Sequence, residues 1–226
     1  GSSGSYSYTV KAGWENKPVN LVSFFDALRF SNWLHNGQGS GDTETGAYTL
    51  LGGTVTPNNW TTVTRNEGAT IFLTSENEWY KAAYYDALSA SFFDYPAGTN
   101  AVTTCAAPGA AANTASCWRP GVENATDVGA YTGSASPYGT FDQGGNVWEW
   151  NEQIALGSYR GVRGGGWSEN ASSLAASNRN ASGPAYQNYS LGFRVASPIP
   201  EPGMGLLFTS AVINLALLRK RTAKVL

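Results

Sequence analysis

Runs of glycine set against tryptophan constrain this chain more than any other feature. They occur in Gly144-Gly-Asn-Val-Trp-Glu-Trp and in Arg160-Gly-Val-Arg-Gly-Gly-Gly-Trp. Consecutive glycines permit close backbone approach and positive φ, and they interrupt helices. Only 13% of the residues are charged, while 27 are Gly and 8 are Trp. That balance argues against a helical bundle and for a loop-rich α+β fold with aromatic anchors. At 226 residues the chain suits one good-sized domain with a buried core.

Two helices are readable. Ser23-Phe-Phe-Asp26 is a capping box, and the helix it opens runs to about His35, where Asn36-Gly37 ends it. Ser75 with Glu78 opens a second, expected to reach about Ala87 with Trp79, Ala82 and Ala83 facing inward. Between them, 37–68 reads as a long polar loop with one hairpin. Residues 92–136 are rich in Gly, Ala, Asn and Thr with little periodicity. Strands are expected at Asn146 to Trp150, Tyr159 to Gly164 and Leu191 to Ala196. Cys105 and Cys117 flank a short Ala/Gly/Thr loop, and a disulfide there would add roughly 3 kcal/mol in an oxidising compartment.

Four stretches in fixed order are Pro18-Val-Asn-Leu-Val-Ser-Phe-Phe-Asp-Ala, Leu73-Thr-Ser-Glu-Asn-Glu-Trp-Tyr-Lys-Ala-Ala, Gly144-Gly-Asn-Val-Trp-Glu-Trp and Arg163-Gly-Gly-Gly-Trp with Gly192-Phe-Arg-Val. Together they resemble the formylglycine-generating enzyme, or sulfatase-modifying factor, family. The resemblance implies a C-type-lectin-like variant of that fold over 1–198. It also implies a calcium site on Asn146, the Val147 carbonyl and Glu149, oxygen donors suited to a hard cation. Asn113 and Asp127 align loosely with a second such site. Spacing alone reads Trp148 and Trp150 as core anchors and Glu149 as an exposed partner for Arg163.

In that family a cysteine pair binds copper(I) and oxidises a substrate cysteine. Aligned on Arg179 and Gly192-Phe-Arg, those positions fall near Ala171 and Ala176, and no cysteine follows Cys117. Alanine neither binds copper nor acts as a nucleophile, so copper oxidase chemistry is not expected. The lone histidine, His35, builds neither a metal site nor a serine triad and reads as a helix-terminal residue. Arg163 and Arg194 read as structural cations that lock irregular loops. Ser177, Asn178, Arg179, Asn180, Tyr186, Asn188 and Tyr189 are adaptable recognition residues suited to a peptide or glycan.

The segment 199–226 differs in kind. Pro200-Glu201-Pro202 breaks the chain, 203–218 is an uncharged apolar run, and Arg219-Lys220-Arg221 follows. As a helix the run covers about 24 Å, slightly less than a bilayer core. The layout resembles the PEP-CTERM sorting signal of Gram-negative bacteria that make extracellular polysaccharide. It implies transient anchoring in the inner membrane, with the basic end inside, and cleavage by an exosortase-type protease. The expected location is the cell envelope or extracellular matrix, and the natural protein is expected to begin upstream with an export signal. The remainder carries 10 basic and 15 acidic groups, a net charge of −5 that gives no reason to bind nucleic acid. The leading expectation is a surface-sorted, non-catalytic binding domain. The alternatives are an enzyme, either a formylglycine-generating-type oxidase or one of unknown chemistry, and a structural matrix component.

Overall fold

The structure is a computed structural model describing residues 9–121 and 123–198. The 199–226 segment, with Pro200, Glu201, Pro202, Arg219, Lys220 and Arg221, lies outside the described residues. Among the described residues, no helix is long and apolar enough to cross a membrane.

Helix α1 spans Phe24–His35 and is capped as its sequence dictates. Ser23 Oγ accepts the Asp26 N–H, and the Asp26 carboxylate accepts the Ser23 N–H. Phe24, Phe25, Ala27 and Leu28 form its buried face. Asn36 caps the C-terminus, and Gly37 turns away at φ 84°. Strand β1 is Phe72–Leu73, and α2 spans Glu76–Tyr84 with the same box built from Ser75 and Glu78. The chain then continues as β2 (Tyr85–Asp86), β3 (Ser91–Phe92), β4 (Thr104–Cys105) and β5 (Thr114–Ala115). Strands β6 (Trp148–Ala155) and β7 (Tyr159–Arg163), a 3-10 turn at Ala171–Leu174, β8 (Asn180–Ser182), β9 (Leu191–Phe193) and β10 (Val195–Ala196) complete it.

The largest sheet has order β8-β7-β6-β9. Antiparallel β6 and β7 carry an irregularity between Trp150 and Ile154, and β9 joins β6 in parallel. Pairs β1–β10, β2–β3 and β4–β5 are short accessories. Phe24, Phe25 and Leu28 of α1 meet Trp150, Val162 and Leu191 of the sheet in the main core. Trp79, Ala83 and Tyr84 pack with Ala176 in a second cluster. A third joins Tyr95, Ala115, Cys117 and Leu174, and there the Cys105–Cys117 disulfide is formed.

Several expectations need correction. Helix α2 stops at Tyr84 because Tyr85 is extended and pairs with Phe92, while the Asp86 carboxylate takes the Leu88 and Ser89 N–H groups of the intervening turn. The 37–68 loop has no hairpin, only an isolated Tyr48–Arg65 bridge. Asparagines hold that loop: Asn32 binds the Thr43 carbonyl and the Tyr48 N–H, and Asn66 binds the Gly46 carbonyl. Strand β6 begins at Trp148, since Asn146 sits at φ 64°. Gly145 (φ 84°) packs so closely on the Ser116 carbonyl that a Cβ would overlap it.

Candidate binding site

Glu149 is buried rather than exposed, and Arg163 is not its partner. The Glu149 carboxylate accepts Trp79 Nε1 (2.6 Å), Arg194 Nε (2.5 Å) and Arg194 Nη2 (2.6 Å). Arg163 pairs instead with Glu76 at 2.7 Å and donates to the carbonyls of Ala176 and Asn178. These bonds place α2 against β6 and fix the backbone after the 3-10 turn, so both arginines order loops.

The residues of the expected calcium site line one pocket of about 360 Å³ with Asp142, Phe141, Phe193 and Arg194. Asn146 is committed elsewhere: Oδ1 accepts the Thr126 N–H and Nδ2 donates to the Thr126 carbonyl. Asp142 faces this pocket in a left-handed conformation (φ 59°) and accepts the Gly129 N–H at 2.6 Å. Burial pushes its carboxyl above the ordinary range, while the Gly129 bond and Arg194 pull it back. The donor set fits a hard cation poorly as it stands. Both Glu149 oxygens serve Arg194, and among the described residues no cluster of three acidic, His or Cys groups forms. Asn113 spends its side chain on Thr103 and the carbonyls of Ala101 and Val102.

The seven recognition residues separate. Asn180, Tyr186 and Asn188 line a cleft of about 180 Å³ on the main sheet, completed by Trp148, Glu169, Ser182 and Ser190. Strand pairing assembles it: β6 sits beside β7 and β9, while β8 forms the edge next to β7. The Asn188 carboxamide holds the wall, with Oδ1 accepting Ser190 N–H and Oγ and Nδ2 donating to Tyr186 Oη at 2.8 Å. Asn180 Oδ1 accepts the Ala181 N–H. Tyr186 is 50% exposed. Glu169 has no ion-pair partner among the described residues.

Tyr189 stands apart from that lining and packs on Trp167 with ring centroids 5.4 Å apart. Ser177 is exposed, and Asn178 contributes its carbonyl to Arg163. Arg179 lines a separate polar groove with Arg65, Glu76 and Glu152, its Nε 3.6 Å from Glu76. Ala176 is buried against Trp79 and Tyr84, and Ala171 packs beside the disulfide cluster. His35 Nδ1 accepts the Thr70 N–H at 3.1 Å, a structural contact. Trp148 and Glu169 escaped the sequence reading because the cleft joins segments that meet only through sheet pairing.

A small sheet under α1, few regular elements and arginine-tethered loops define a formylglycine-generating-enzyme-like α+β scaffold. The chain belongs to the sulfatase-modifying factor enzyme 1-like domain family, whose model matches residues 4–199. Among solved structures it resembles Treponema denticola variable protein 1 (TM-score 0.59, 22% identity, covering 85% of this chain and 75% of that one). It also resembles CarF (0.59, 22%, 81% and 69%) and PvdO from Pseudomonas aeruginosa (0.54, 20%, 81% and 63%). At these identities the likeness concerns the fold. A sequence search of curated proteins finds no match.

Proposed function

We propose that this domain is a non-catalytic binding module that takes a glycan in the cleft over the main sheet. The observation that carries the reading is the cleft's lining. A carboxylate without an ion-pair partner among the described residues, Glu169, lies with the Asn180 carboxamide and the Ser182 hydroxyl beside Trp148 and Tyr186. Carboxylate and amide groups suit paired sugar hydroxyls, and the rings suit the C–H face of a sugar. Copper oxidation lacks ligands on this reading: alanines stand at 171 and 176, and Cys105 and Cys117 are bonded to each other. The Pro-Glu-Pro tail supports export and sorting at the envelope, where an exosortase-type protease would remove it. The calcium expected on Asn146, the Val147 carbonyl and Glu149 would require Thr126 to release Asn146 and Arg194 to release Glu149.

Calorimetric titration with neutral oligosaccharides tests the main reading. Saturable binding weakened about tenfold, ~1.4 kcal/mol, by Tyr186→Ala and by Asn180→Ala is expected. Binding of extended peptides alone would reassign the ligand. Conversion of a peptide cysteine to an aldehyde with oxygen uptake would overturn the non-catalytic reading.

A further inference from the structure

A second surface, sharing no residue with the cleft, carries a strip of aromatic rings. Tyr85 and Phe92 are cross-strand partners in β2 and β3, with ring centroids 4.9 Å apart. Phe92 continues to Tyr80 on α2 at 5.2 Å, and Tyr85 lies nearly parallel to Tyr138 (26°) at 6.4 Å. Buried Tyr84, 5.1 Å from Tyr80, fixes the strip from below and donates its hydroxyl to the Leu174 carbonyl. Phe92 remains 51% exposed and Tyr138 48%. A two-residue strand pair needs no such row of half-wet rings for its own stability, and contiguous exposed aromatics mark contact surfaces.

Cations border the strip. Lys81 Nζ stands 5.6 Å from the Tyr85 centroid, and the Arg179 guanidinium 5.7 Å from that of Tyr80. Lys81 has no ion pair among the described residues. Asp86, the acid in the same strand pair, is turned into its own loop, accepting the Leu88 N–H and Ser89 Oγ. Arg179 lies 3.6 Å from Glu76, whose charge Arg163 already balances at 2.7 Å, so the strip presents apolar rings edged by Lys81 and Arg179 on a body that is net acidic.

From this arrangement we infer that the strip binds an acidic polysaccharide, its sugar faces lying on Phe92, Tyr85 and Tyr138 and its carboxylates reaching Lys81 and Arg179. Rings attract C–H-rich faces and nearby cations select negative charge. Two cations on an acidic body are too few for a nucleic-acid backbone. A two-fold contact with a second copy would bring the same cations against each other. Arg179, placed by sequence among the recognition residues, thus belongs to this surface and not to the cleft.

The test titrates the protein with alginate oligosaccharides and, in parallel, with dextran of matched length. Alginate should bind more tightly than dextran, and Phe92→Ala combined with Tyr138→Ala should weaken alginate at least about tenfold, ~1.4 kcal/mol. Lys81→Gln, a change that leaves the rings in place, should weaken alginate and flatten its salt dependence. Tyr186→Ala in the cleft should leave alginate binding unchanged, which keeps the two surfaces distinguishable. Alginate affinity unaltered by the strip variants, or absent in the parent protein, overturns the assignment. So does concentration-dependent dimerisation abolished by the same variants.

Discussion

Asp142 shows how one residue departs from its surroundings. Its carboxyl is buried beside Glu149, and burial raises its proton affinity above the ordinary 3.8. The native state therefore holds that proton more tightly than the unfolded chain. The stabilisation is present below the unfolded value and is lost as pH rises through the folded one. At neutral pH the ionised group is a liability that an amide removes. An asparagine side chain at this position would keep an acceptor for the Gly129 N–H, and asparagine tolerates φ 59° better than most residues. Asp142→Asn is expected to raise the melting temperature at pH 7. Thermal melts from pH 3 to 8 should show that advantage growing toward neutrality. A flat difference would mean that the carboxyl is not desolvated.

At the level of elements, what the sequence disclosed depended on how local the determining contacts are. Both helix starts were legible, because Ser23 with Asp26 and Ser75 with Glu78 lie within one turn of each other. Ser75 carries a further consequence. Its partner Glu78 also accepts two bonds from Arg65, chiefly through which its carboxyl is held down at about 2. Since that folded value is below the ordinary one, the Glu78 contribution is intact above the ordinary value and is lost as pH falls toward 2. Ser75→Ala should therefore cost about 1 kcal/mol in denaturant unfolding at neutral pH, the scale of a lost N-cap. The end of α2 was not legible, because it is decided by the Asp86 turn and the pairing of Tyr85 with Phe92. The 37–68 loop misled for the same reason: its polar residues suggested a hairpin, but side chains such as Asn32 and Asn66 supply the bonds a ladder would have made. Three of the cleft residues were legible from their chemistry alone, whereas Trp148 and Glu169 required the register of β6 against β9 and the loop that follows β7.

At the scale of the whole domain, buried and half-buried arginines hold together what strands hold elsewhere. Arg65 joins Glu78, Glu152 and the Leu73 carbonyl, and Arg163 holds the carbonyls that follow the 3-10 turn. Arg194 binds Glu149 and the Phe141 carbonyl. Arg160 is the sharpest case, because carbonyls rather than a carboxylate receive it: those of Glu152, Trp60 and Val63, at 3.2, 3.3 and 3.0 Å. Its guanidinium stacks on Phe24 at 4.5 Å, and the residue is 1% exposed. A planar fork can reach three oxygens at once, whereas an ammonium is a point charge that burial readily neutralises. Arg160→Lys should therefore leave carbonyls of the 57–63 loop without donors and destabilise the fold by about 2 kcal/mol. Hydrogen exchange should rise first in 57–63 and in neighbouring β6, ahead of the disulfide cluster around Cys117. If exchange instead rose uniformly with global stability, the loop would be held by its own turns, and the tether at Arg160 would be incidental to the fold.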